Sequence, residues 1–93
     1  MIKSIKHRET GKVSHRDFSR RLPIDIQQIA YRKLRMLNNA RSLADLPVPP
    51  LNHLEKLKGD RERQYSIRFN ERWRICFEWR ANDAYEVGIV DYP

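Results

Sequence analysis

Cysteine is almost absent. Cys76 stands alone, so no internal disulfide forms and a secreted, disulfide-stapled scaffold is excluded. Long apolar runs are missing too: nowhere does the chain approach the roughly 18 consecutive apolar residues that span a bilayer. The opening "MIKSIKHRE" is charged by Lys3 and lacks the apolar core of a signal peptide. These absences predict a cytoplasmic protein in a reducing compartment, without membrane contact. Metal-ligand spacing is missing as well, since His7, His15, His53 and Cys76 form no CxxC or HxxxH pattern. No metal site and no cofactor is expected. Walker, GxGxxG and HExxH motifs do not occur.

What is present is cationic charge. Lys plus Arg number 19 against 12 Asp plus Glu, a net charge of +7, which attracts polyanions such as nucleic acid at long range. Net charge alone fits solubility equally well. The length of 93 residues predicts a single domain over 1–93; a chain this size buries about 60 to 65% of its unfolded surface, so its core is thin.

The chain divides into a helical half and a sheet half. "MIKSIKH" reads as a short edge strand. In "SHRDFSRRL", Ser14 followed by Asp17 resembles a capping box and predicts a helix from His15. From Pro23, the spacing of Ile26, Ile29, Ala30, Lys33, Leu34 and Leu37 gives the clearest helix, ending at Asn38 and Asn39. "RSLADL" adds one turn capped by Ser42. "PVPP" at 47–50 then breaks helical continuation and reads as a stiff connector rather than a polyproline ligand.

Beyond it the period becomes two. Tyr65, Ile67 and Phe69 alternate with Ser66 and Arg68, Asn70 and Glu71 mark a turn, and Trp73, Ile75, Phe77 and Trp79 alternate with Arg72, Arg74, Cys76, Glu78 and Arg80. After "AND", Tyr85, Val87 and Ile89 form a third apolar row with Gly88, Val90 and Tyr92 on the reverse. The pattern predicts an antiparallel meander with helices packed on one face, a two-layer α+β domain, and an opposite face lined by arginines. Cys76, mid-strand beside Phe77, fits packing better than nucleophilic catalysis, and the glycine-aromatic order of an RNA-recognition motif is missing.

A cationic sheet face flanked by "EKLKGDR" and "DYP" fits one metal-free reaction, RNA cleavage by its own 2′-hydroxyl. That chemistry needs a proton acceptor, a proton donor and cations to hold a pentavalent phosphate. Arg74 and Lys58 can supply charge, Tyr92 can exchange protons if cations depress its ordinary value near 10, and Asp91 and Glu55 can orient or accept. Spacing alone favours a solvated face in which Arg68, Arg74 and Lys58 have no ligand.

At "LKGDR", "YSIRFNERWRICF" and "VDY" the chain closely resembles HigB-type toxins of bacterial toxin–antitoxin modules, within the RelE superfamily; "MIKSIKH" and "RKLRML" before a proline-rich loop extend the resemblance over nearly the whole length. It implies the RelE-like α+β fold, binding in the ribosomal A site, and metal-independent cleavage of messenger RNA there. It also implies control by a HigA-type helix-turn-helix antitoxin, with operator DNA met only through the toxin–antitoxin complex. Carried over by position, Lys58, Arg74, Asp91 and Tyr92 are catalytic candidates; Glu55 joins them as a carboxylate able to assist, and Arg61, Arg68 and His53 are the RNA-binding candidates. Two departures stand out. Glu55 replaces a histidine of some members, and Pro93 replaces the histidine of the usual "DYH" ending, so the alternatives are a catalytically weak or inactive RNA- and ribosome-binding protein, or, against the Lys58/Arg74/Tyr92 set, a toxin directed at DNA topology.

Overall fold

A computed structural model describes residues 1–46, 54–57 and 63–91. Helix α1 spans Arg8–Ser14 and α2 Ile24–Asn39; a single 3-10 turn follows at Leu43–Asp45. Strands β1 (Leu54–Lys56), β2 (Gln64–Arg68), β3 (Trp73–Arg80) and β4 (Asp83–Asp91) pair in sequence order, each antiparallel to the next. The predicted two-layer α+β meander is the fold observed.

α2 forms where its apolar spacing requires. Ile26, Ala30, Leu34 and Leu37 are buried on one stripe and pack with Ile67, Ile75, Phe77, Val87 and Ile89 from one face of the sheet. Fully burying a side chain of this size contributes about 1.5–3 kcal/mol, so this contact is the main source of stability. The turn predicted after α2 is present: the Asp45 carboxylate accepts from the backbone N–H groups of Arg41 and Ser42 at 2.9 and 3.2 Å.

The first helix lies elsewhere than predicted. It ends at Ser14 instead of starting after it, because Thr10 and Val13, three residues apart, are the pair that the core buries. Ser14, which looks like an N-cap, is the last residue of the helix, and His15 is its C-cap: Arg16 takes φ 61°, the Asp17 N–H donates to Lys12 O at 2.7 Å and the Arg16 N–H to Val13 O at 3.0 Å, a Schellman closure. Thr10 Oγ1 accepts the Ile89 N–H at 2.9 Å, which joins α1 to β4. The loop to α2 is held by Gln27, whose amide bonds Ser19 and Leu22, and by Ser19 Oγ, which donates to Glu9 at 2.6 Å. That hydrogen bond, with the cations of Lys12, Arg21 and Arg8, holds the Glu9 carboxyl below its usual range.

The N-terminal segment runs beside β4 through parallel bridges Ile2↔Ala84 and Ile5↔Val87 and is not a continuous strand. β4 itself departs from strict alternation. Between Cys76↔Gly88 and Glu78↔Tyr85 it carries one more residue than β3, and Glu86 takes φ 51° there. This bulge shifts the phase, so Ala84, not Tyr85, faces the core opposite Trp79. Tyr85 turns to the other face, where the Arg80 guanidinium lies 4.1 Å from its ring centroid. Among the described residues no helix is long and apolar enough to cross a membrane.

Candidate active site

The sheet face away from α2 carries a cluster of polar side chains. Register places Glu55, Ser66, Cys76 and Gly88 in one cross-strand row, with Arg68, Arg74 and Val90 in the next. Arg68 and Arg74 are register partners, so both leave the sheet on this face, but their guanidinia are tied to different groups. Arg68 Nε donates to Asn70 O at 3.2 Å, which ties its side chain to the hairpin. Asn70 Oδ1 in turn accepts from the Arg72 and Trp73 N–H groups, both at 2.8 Å, and so builds the predicted turn.

Arg74 is held by two side chains. Its Nη1 donates to Ser66 Oγ at 3.1 Å and to Glu55 Oε2 at 3.2 Å, and its side chain is only 14% exposed. Ser66 is fully buried. Both contacts fall on one nitrogen and hold the guanidinium in place on this face, where such a group can meet a phosphate. Glu55 stays 54% exposed on its side chain, within reach of both Arg74 and solvent. A carboxylate here can accept a proton from a ligand held by the arginine.

The strand β1 that delivers Glu55 was not expected from the sequence. Its three residues carry no alternation long enough to read, yet Glu55 lies in register with Ser66 and so enters the same row. Ser66 was read only as an outward-facing residue, and nothing local marks it as the partner of Arg74.

Asp91 is not brought to this cluster. It pairs in register with Trp73, on the α2 side of the sheet, and its Oδ2 accepts from Arg72 Nη2 at 2.5 Å. That contact holds the Arg72 guanidinium above its ordinary value. Arg72 itself lies in the turn before β3, not on the outward row where alternation put it. Lys58, Arg61, His53, Tyr92 and Pro93 fall outside the described residues. Among the described residues no three His, Cys, Asp or Glu side chains gather as metal ligands.

The profile of the family described as "RelE-like toxin of type II toxin-antitoxin system HigB" matches residues 4–92. Toxin HigB-1 of Vibrio cholerae is 38% identical over 60 residues, 64% of this chain and 63% of that protein, so the match spans a little under two thirds of its length. Endoribonuclease HigB of Proteus vulgaris is 33% identical over 93 residues, 99% of each chain. With the two-helix, four-strand architecture already described, this match over nearly the full length shows that the chain belongs to the RelE-like, HigB-type toxins of type II toxin–antitoxin systems.

Proposed function

We propose that the protein is a ribosome-dependent endoribonuclease that cuts messenger RNA in the A site without a metal ion, in the cytoplasm, and that a HigA-type helix-turn-helix antitoxin silences it. The observation that carries this reading is Arg74, pinned by Ser66 and Glu55 on the sheet face away from α2. A guanidinium held in place on this face is a suitable partner for a phosphate. The name of the Proteus vulgaris relative supports the same chemistry.

In the reaction the RNA 2′-hydroxyl loses its proton as its oxygen attacks the adjacent phosphorus. The P–O5′ bond breaks, the 5′-oxygen takes up a proton, and a cyclic phosphate remains on the upstream fragment. Arg74, with Lys58, stabilises the extra negative charge on the phosphoryl oxygens at the pentavalent stage. Tyr92 exchanges a proton, and a carboxylate assists. Of the two carboxylate candidates, the contact with Arg74 supports Glu55, whereas Asp91 is engaged by Arg72 beside Trp73. The ribosome contributes orientation of the message, which by itself lowers such barriers by several kcal/mol.

Expression of the wild type is expected to arrest growth and expression of Arg74→Ala to permit it, while circular dichroism of the variant shows an intact fold. A folded but fully toxic Arg74→Ala contradicts the assignment. A second reading, an inactive ribosome-binding relative, rests on Pro93, which cannot transfer a proton where many members carry histidine; wild-type expression without any cut message would favour it.

A further inference from the structure

A second feature of the Arg74 face has no place in the cleavage chemistry. Next to the Cys76–Gly88 pair lies a cavity of about 170 Å³, lined by Lys6, His7, Gln64, Cys76, Glu78 and Val90. His7 reaches it from the N-terminal segment because position 88 is glycine. A Cβ there would lie 2.8 Å from His7 Nδ1 and 3.0 Å from Cε1, so the imidazole rests on bare backbone. His7 is nonetheless exposed, which leaves its ring open to a ligand. Gln64 and Glu78 face one another across β2 and β3 and form one wall.

This set of groups suits a flat, hydrogen-bonding ring. An unpaired nucleobase stacks on histidine as on other aromatic side chains. The Gln64 amide offers both a donor and an acceptor, and the Glu78 carboxylate, steadied by Arg80 Nε at 3.2 Å, accepts from an exocyclic amine. Position also matters. Cys76 is two residues from Arg74 on β3, about 7 Å away along the strand, a step that one nucleotide of an extended RNA strand covers.

We propose that this cavity is a nucleobase subsite that takes the base one nucleotide away from the phosphate held at Arg74, and thereby selects where a message is cut. The proposal rests on the nuclease reading above. Lys6, Glu86 and Glu78 are the charged groups around it, and the bulge at Glu86 shapes its rim.

The test is the base composition around cut sites, mapped from message ends in cells expressing the wild type, His7→Ala, Gln64→Ala or Gly88→Ala. One position beside the cut should lose its wild-type base preference in all three variants, and His7→Phe, which keeps a stacking ring, should retain it. Unchanged preference in folded His7→Ala and Gln64→Ala overturns the subsite while leaving the nuclease reading intact; a wild type that cuts no message removes both. A measurement independent of cutting is titration of the full chain with AMP, GMP, CMP and UMP, followed by amide NMR. Shifts at Gln64, Cys76 and Gly88 with at least one nucleotide are expected, and silence there with all four overturns the proposal even if message is cut.

Discussion

Arg74 Nη1 and Ser66 Oγ stand 3.1 Å apart, joining the third strand of the sheet to the second, and the same nitrogen reaches Glu55 on the first. Three consecutive strands thus fix a single guanidinium. A hydrogen bond to a charged group contributes about 1.5–3 kcal/mol, so each contact matters to how sharply the arginine is aimed.

Ser66→Ala removes one of these anchors and little volume. Cleavage of a reporter message should slow about tenfold, in keeping with the loss of one charge-assisted hydrogen bond, and the unfolding midpoint in urea should fall by a corresponding loss of about 1.5–3 kcal/mol. Quantitative primer extension on ribosome-bound message measures the effect, and an unchanged rate would show that Arg74 is aimed without Ser66.

Glu55→Gln keeps the shape and removes the negative charge. Single-stranded RNA should bind more tightly at low salt, because a repulsive carboxylate has gone from a phosphate site, while cutting slows. Filter binding beside the cleavage assay separates the two effects. Weaker binding together with unchanged cutting would contradict the role given to this carboxylate.

Thr10→Val tests the fold rather than the site. Thr10 is 1% exposed and its hydroxyl accepts the Ile89 N–H. Valine fits the space but leaves that donor unsatisfied, a loss of about 1–3 kcal/mol. Urea unfolding followed by tryptophan fluorescence should show it.

Glu9 gives the pH dependence. Its carboxyl lies below the usual 4.5 in the folded protein, chiefly through the Ser19 hydroxyl. A depressed carboxyl stabilises the fold above its unfolded value, and that contribution disappears as pH falls through the folded one. Glu9→Gln should therefore be less stable than the wild type near neutral pH, and the gap should close as the solution is acidified below the carboxylate range. Urea midpoints across that interval report it; a constant gap would show that the Ser19 contact does not depend on charge.

The α2 stripe and the alternation from Trp73 to Arg80 were legible in the sequence because each is set by local period, and their apolar positions form or pack on the core except Ile29, which is only half-buried. Arg74 and Arg68 could be placed on the outward face for the same reason. The remaining features depend on non-local geometry. α1 contains Gly11 and sits beside a stronger-looking cap at Ser14, yet burial of Thr10 and Val13 decides its position. The phase change at Glu86, which turns Tyr85 outward, is a bulge with no residue pattern of its own. Glu55 and His7 reach the Arg74 face through strand register and a glycine 81 residues along the chain from His7, relations that no window of sequence displays.

The most direct measurement is the mapping of 5′ ends of cellular messages after brief induction of the wild type and of folded Arg74→Ala. New ends inside translated regions, carrying 5′-hydroxyls, should accumulate with the wild type and be absent with the variant. The same ends at the same yield from Arg74→Ala would contradict an active site built on this arginine.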